Sequence, residues 1–239
     1  MIEPLVEKLS RRDELSGAER QALGALLGPE RGVAAGSLII QPGDRPTHST
    51  FLRSGFCARY SLTVGGDRQL TEINVPGDFV DLHSLMMKQM DHGIVALSDC
   101  VIAPAQHGDL RRLTEQHPHL TRLLWLETVI DGAIHRQWLV TMGRQNAASR
   151  LAHLICELYL RLEAAGQAAD QRFAVPLTQT DLGDVLGLTP VHVNRVMMEL
   201  RHEALIEWKG AQVTILDWAQ LAAFAEFDPT YLRLQRDPV

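Results

Sequence analysis

Residues Gln179 to Val196 constrain this chain more than any other stretch, because their spacing describes two short helices joined by a tight turn. Thr178 stands as an N-cap, and Asp181 three residues later completes an approximate capping box. Leu182, Val185 and Leu186 then give one apolar helical face. Gly187 breaks that helix, Leu188 plugs the core, and Thr189 caps a second helix whose first turn holds Pro190, where a missing N–H costs nothing. Val193, Val196, Met197 and Leu200 recur at helical spacing, leaving His192, Asn194, Arg195 and Glu199 facing outward. A helix-turn-helix of this kind lays its second helix in the major groove with its first turns nearest the base edges. The expected DNA-contacting residues are therefore Thr178, Gln179, Thr189, Pro190, Val191, His192, Asn194 and Arg195. Beyond them, Leu205 to Trp208 and Gln212 to Leu216 read as two short strands around Lys209-Gly210-Ala211, a wing that adds Lys209 to the set. The alternative is an ordinary helical hairpin packed in some other core.

Charge argues against this reading. The net charge is -6, and between Pro176 and Ala211 five acids (Asp181, Asp184, Glu199, Glu203, Glu207) face three bases (Arg195, Arg201, Lys209). Phosphate contacts supply most non-specific affinity, so DNA binding here needs a few placed cations, helix N-termini meeting phosphates, and two copies doubling the contacts. Cys57, Cys100 and Cys156 are odd in number and far apart. That argues against a disulfide framework, and three cysteines alone fall short of the four ligands an iron-sulfur cluster usually takes. They read as buried small hydrophobes. No apolar run approaches the length of a membrane span, and Met1-Ile2-Glu3-Pro4 lacks the basic start of a signal peptide, so the expectation is a cytoplasmic protein without a membrane partner.

The rest of the chain predicts an α+β fold in three segments. Residues 1–116 carry short helical segments from 5 to 28, then short apolar stretches: Ser37 to Ile40, Ser49 to Arg53, Phe56 to Leu62, Leu70 to Val75, Gly93 to Leu97 and Val101 to Ala103. Their spacing suggests an antiparallel β-roll (jelly roll), to which the family resemblance given below adds an effector or sensor role. Pro42-Gly43-Asp44, Pro76-Gly77-Asp78 and Gly65-Gly66-Asp67 read as its corners, with no chemistry assigned. Asp109 to Glu115 reads as a short helix. Residues 117–143 form a long dimerisation helix, with Gly143 as a hinge. Leu120, Leu123, Leu124, Glu127, Ile130, Ile134, Trp138 and Thr141 lie along one stripe, expected to meet a second copy; packing against the roll is the alternative. Residues 144–239 hold a helix from Ser149 to Leu162, a polar linker from Ala164 to Gln171, the winged helix-turn-helix, and a last helix capped by Asp217.

This arrangement, and above all the run Asp181-Leu182-Gly183-Asp184-Val185-Leu186-Gly187-Leu188-Thr189-Pro190-Val191-His192-Val193-Asn194-Arg195 followed by Leu200-Arg201 and Leu205-Ile206, resembles the Crp/Fnr family of bacterial transcription regulators over nearly its whole length. The two Pro-Gly-Asp corners and the glycine hairpin are similar to that family's cyclic-nucleotide-binding type of roll. In members that bind cyclic AMP, a Gly-Glu pair grips the ribose and an Arg-Ser pair the phosphate. The matching positions here are Asp81-Leu82 and His92-Gly93, so neither pair is present and Asp81 would repel the phosphate. The resemblance thus implies an effector pocket near Asp81, Leu82, His83 and His92, an unidentified effector, and no binding of cyclic AMP in the family's usual way. Where members carry Glu with Arg or Ser to read bases, this chain has Pro190, Val191 and Asn194 and keeps only Arg195. Arg195 suits a guanine, His192 and Asn194 suit base edges, and Val191 suits a thymine methyl.

Haem, which some members sense, would call on histidines such as His83, His92, His107, His117 and His119, but their spacing matches no metal signature and the expected metal set is empty. The function expected is a homodimeric regulator on a pseudo-palindromic DNA duplex, with RNA polymerase as a partner if it activates. A ligand-sensing adaptor whose winged domain binds protein is the competing reading. An enzyme is not expected, because no nucleophile-base pair, metal motif or phosphate-cradling loop is present.

Overall fold

The N-terminal turns are fixed by local capping before any sheet begins. In the computed structural model, which describes residues 2–238, Met1 and Val239 at the outer ends of the expected segments lie outside the described residues. Helix α1 (Glu3–Arg12) has Pro4 in its first turn, and α2 (Gly17–Leu26) starts at Ser16 in a complete capping box with Glu19. Strands β1 (Arg31–Val33), β2 (Leu38–Ile40), β3 (His48–Ser54), β4 (Cys57–Leu62), β5 (Arg68–Asn74), β6 (Gly93–Ala96) and β7 (Cys100–Gln106) follow. They form two antiparallel sheets, ordered β1-β7-β3 and β2-β6-β4-β5, and this is the expected roll. Leu52, Ile94 and Ile102 are buried between them. Both Pro-Gly-Asp corners need their glycine, since Gly43 and Gly77 sit at φ +92 and +99.

After α3 (His107–Gln116) the chain runs into α4 (Pro118–Arg144) and α5 (Ala147–Ala164). The expected hinge at Gly143 lies inside α4; the break falls at Gln145, and Asn146 restarts the chain as N-cap of α5 by accepting from the Ser149 N–H at 2.9 Å. Strand β8 (Arg172–Ala174) occurs just past the expected linker and pairs with the later wing through buried Phe173. Helices α6 (Gln179–Leu186) and α7 (Pro190–His202), strands β9 (Ile206–Lys209) and β10 (Gln212–Ile215), and α8 (Trp218–Phe224) complete the winged helix-turn-helix. A 3-10 turn, Pro229–Leu232, then packs on α4.

The stripe expected to meet a second copy is turned inward. Leu120, Leu123, Leu124, Glu127, Ile130, Ile134, Trp138 and Thr141 are all buried within one chain. The first three join Leu5, Leu9 and Phe51 in one core, while Ile130, Ile134 and Trp138 join α5 in another. Glu127 pairs with Lys8 and Arg12 of α1, and the Trp138 indole N–H donates to Glu157 Oε2 at 3.0 Å. The reason is that α4 is apolar on both sides, so spacing alone could not say which side its own body takes. Its opposite face exposes Trp125 (69%), Val129, Leu139 (73%) and Val140.

The second Pro-Gly-Asp corner also does more than turn the chain. Asp78 is buried and pairs with Lys8 at 2.7 Å and Arg161 at 2.9 Å, joining α1, the roll and α5. Burial pushes its carboxyl up, but Lys8 and Arg161 outweigh that and hold it at about 2.

Candidate nucleic-acid interface

The turn between α6 and α7 is built by two glycines with different tasks. Gly187 takes the left-handed conformation at φ +65 that ends α6. Gly183 admits the returning chain, because a Cβ there would stand 2.5 Å from the Leu188 carbonyl oxygen. Thr178 and Asp181 form the complete capping box, and the Thr189 hydroxyl accepts from the His192 N–H at 3.3 Å. On the inner side Leu182, Val185, Leu186, Val193, Val196, Met197 and Leu200 are buried, as their spacing requires.

The outer side carries the residues expected to meet DNA. Thr178, Gln179, Thr189, Pro190, Val191, Asn194, Arg195 and Lys209 are exposed, and His192 is half-buried. Both helix N-termini are therefore open, and each offers free N–H groups and positive dipole ends to a phosphate. Arg195 makes no ion pair among the described residues, whereas Lys209 pairs with Glu207 on its own wing at 2.8 Å. Arg201 donates to the Trp208 carbonyl and ties the wing to α7.

Sequence reasoning missed the residues that seat this unit. Arg150 donates to the Leu186 carbonyl at 2.9 Å, closing the end of α6. From the roll, Arg68 pairs with Asp181 at 2.9 Å and with Asp184 at 2.7 Å, and Gln69 donates to the Asp184 carbonyl at 2.6 Å. Arg150 and Leu186 are 36 residues apart, and Arg68 and Gln69 lie more than a hundred residues from their partners, so no local pattern could reveal them.

The expected effector residues divide between different environments. Asp81 faces inward: its carboxylate accepts from the Thr50 N–H at 2.5 Å and from the Ser84 hydroxyl at 3.4 Å. Burial pushes its carboxyl up to about 7. It belongs to the roll's interior, apart from the two cavities that His83 faces. His83 and His92 line a cavity of about 400 Å³ between the roll and α4, together with Arg59, Asp131 and His135. Leu82 and His83 line an adjoining apolar cavity of about 470 Å³.

The other histidines have structural surroundings. His107 Nε2 lies 3.1 Å from the Ser84 hydroxyl, His117 precedes Pro118 at the start of α4, and His119 bridges Asp13 and Glu19 at 3.0 and 2.7 Å. Cys57, Cys100 and Cys156 are all buried free thiols, and burial pushes Cys156 up to about 12. Among the described residues no helix is long and apolar enough to cross a membrane, and no group of His, Cys, Asp or Glu could hold a metal ion.

Residues 149–224 match the Crp-like helix-turn-helix domain and residues 30–117 the cyclic nucleotide-binding domain. The chain is 27% identical over 212 residues to the transcriptional activator protein anr of Pseudomonas aeruginosa, covering 88% of this chain and 86% of that protein. It is 24% identical over 213 residues to the fumarate and nitrate reduction regulatory protein of Vibrio cholerae, covering 88% and 84%. Among solved structures, FixK2 from Bradyrhizobium japonicum shares the fold with a TM-score of 0.73 at 21% identity, covering 82% of this chain and 96% of that one.

Proposed function

Because the chain belongs to the Crp/Fnr family of transcription regulators, with a helix-turn-helix DNA-binding domain, we propose that it acts as a homodimer whose two α7 helices read the half-sites of a pseudo-palindromic operator. The observation that carries this reading is the outer side of α7: Val191, Asn194 and an unpaired Arg195 stand exposed beside two open helix N-termini. Arg195 takes a guanine, Asn194 and His192 take base edges, Val191 takes a thymine methyl, and Thr178, Gln179, Thr189 and Lys209 take phosphates. Pairing of Arg68 with Asp181 and Asp184 sets one positive charge against two of the five local acids and so offsets one unit of the negative charge that counts against DNA.

The exposed apolar face of α4, with Val129 and Val140, supports the second copy, since a helix apolar on both sides buries one side in its own chain and leaves the other to a partner. The inward stripe is not that seam. The names of its relatives, which include transcriptional activators, support an activating role in which RNA polymerase is the protein partner. Cyclic AMP does not fit, because the one guanidinium lining the polar cavity, Arg59, is already paired with Glu72 and Asp131.

A salt titration on duplex DNA tests the proposal. Phosphate neutralisation predicts a steep fall of affinity with salt, and a winged domain that meets only protein predicts no binding to titrate.

A further inference from the structure

We propose that the segment from Asp228 to Asp237 is a strap that fixes the angle between α4 and α5 and so presets the position of α7 for DNA. The chain needs such a device at Gln145 and Asn146, which are both extended between the two helices and let them swing unless other contacts cross the break. The strap starts from local capping. Asp228 accepts from the Thr230 N–H at 2.9 Å, and Pro229 opens the 3-10 turn. Arg233 then takes the left-handed conformation at φ +49, uncommon for a residue with a side chain, and the chain beyond it reaches α1, where the Asp237 N–H donates to the Arg12 carbonyl at 3.1 Å.

The strap is tied to both bodies that the break separates. On the winged side, Tyr231 stacks on His153 of α5 at 12°, with Phe227 edge-on, and its hydroxyl donates to Glu157 Oε2 at 2.7 Å. That same buried oxygen accepts from the Trp138 indole of α4 at 3.0 Å, so one carboxylate joins α5, α4 and the strap. On the roll side, Arg12 of α1 is 3% exposed; its Nε donates to the Arg233 carbonyl at 3.0 Å, and its Nη2 lies 3.5 Å from the Leu232 carbonyl oxygen. A guanidinium buried this deeply needs acceptors, and Glu127 together with the strap carbonyls supplies them. Leu232 is buried in one core with Ile130 and Ile134 of α4. The break itself is held from the same direction, because Gln145 Nε2 donates at 2.8 Å to the carbonyl of Ala225, just before the strap.

Swinging α5 about Gln145 would strip Arg12 of the strap carbonyls or pull Tyr231 from Glu157, and either leaves buried polar groups unpaired. An α7 held at one angle binds DNA without first losing that freedom, so the strap raises affinity while touching neither base nor phosphate. The outer side of the strap and the open face of α4, with Val129, Ala133 and Val140, line one groove of about 500 Å³, so a second copy seated on that face would touch the strap as well. These consequences for DNA and for a second copy rest on the proposed function; the fixed angle does not.

Hydrogen exchange in two variants tests the proposal: a chain ending at Phe227, and the full-length chain with Arg12→Met. The residues removed from the first include Asp228, Asp237, Arg233 and Arg236, whose charges cancel. Arg12→Met removes the donors that hold the strap while Lys8 stays on Glu127, and it carries the test if the shortened chain does not fold. The expected result is exchange about fivefold or more faster for the amides of residues 141–150 in each variant, with native rates at Val193 and Val196 in α7 and at Phe51 and Ile102 in the roll. Affinity for a duplex enriched from a random pool should fall severalfold in the same samples, with base preference and salt slope unchanged, because no DNA-facing charge is altered. Unchanged exchange at the break in both variants, faster exchange spread evenly over the whole chain, or a freed break with full duplex affinity would overturn the proposal. A native chain that binds no duplex defeats the operator reading alone, and exchange at the break then decides the strap.

Discussion

Arg68, at the start of β5, donates its Nε to Asp184 on α6 at 2.8 Å, across 116 residues of sequence. The roll thereby holds the first helix of the DNA-binding unit and sets one positive charge against the two carboxylates of Asp181 and Asp184. The pair is only partly exposed, 28% for the arginine and 24% for the aspartate, yet not deeply buried. Arg68→Ala should therefore cost only about 1 kcal/mol of stability, near the upper end for such pairs. Its larger effect falls on DNA, where affinity should drop severalfold and alike for all sequences, because the change is one of charge and not of base reading. A filter-binding series in which the variant keeps full affinity would show that the neutralisation is irrelevant to DNA.

The inward turn of the Ile134 stripe separates two substitutions on α4. Ile134 is 2% exposed, so Ile134→Glu puts an unpaired charge in the core and should cost about 3 kcal/mol or more, seen as a lowered thermal midpoint. Val140 lies on the open face, so Val140→Glu should leave circular dichroism and the folded monomer intact while shifting sedimentation to the monomer. A Val140 variant that still sediments as a dimer would remove this face from the interface.

Asp81 gives a pH signature. Its folded carboxyl is raised from 3.8 to about 7 by burial, so between those values the native state holds a proton that the unfolded chain has lost. The sign follows: this group's contribution is complete below about pH 4 and is lost as pH rises through 7. Asp81→Asn keeps an acceptor for the Thr50 N–H and removes the titration. Relative to the variant, the native protein should lose roughly 2 to 4 kcal/mol between pH 4 and pH 8. Parallel stability curves in urea across that range would contradict the assignment.

What the sequence disclosed depended on distance along the chain. The helix-turn-helix was readable because its determinants are consecutive: the Thr178 and Asp181 capping pair, the Gly187 break, and Val193, Val196 and Leu200 at helical spacing. The roll was readable from apolar runs between glycine corners. The face of α4 was not, since Trp125 and Val129 are as apolar as Leu123 and Ile130 and only the rest of the fold decides between them. Asp78 stood inside a turn tripeptide, and its partners Lys8 and Arg161 are 70 and 83 residues away. Strand β8 offered a single inward residue, Phe173, too little for a strand pattern. Asp81 was placed in the pocket by alignment with a family motif, while its carboxylate turns back to Thr50.

The most direct test is selection of the ligand-free chain on a pool of random duplexes at moderate salt, followed by the same selection with Arg195→Ala. The account predicts an enriched palindrome with half-sites about one helical turn apart. It also predicts that the variant loses preference at one base position per half-site, worth roughly 1 to 3 kcal/mol. A variant that enriches the same sequence with undiminished preference, or a wild-type chain that enriches nothing, would contradict it.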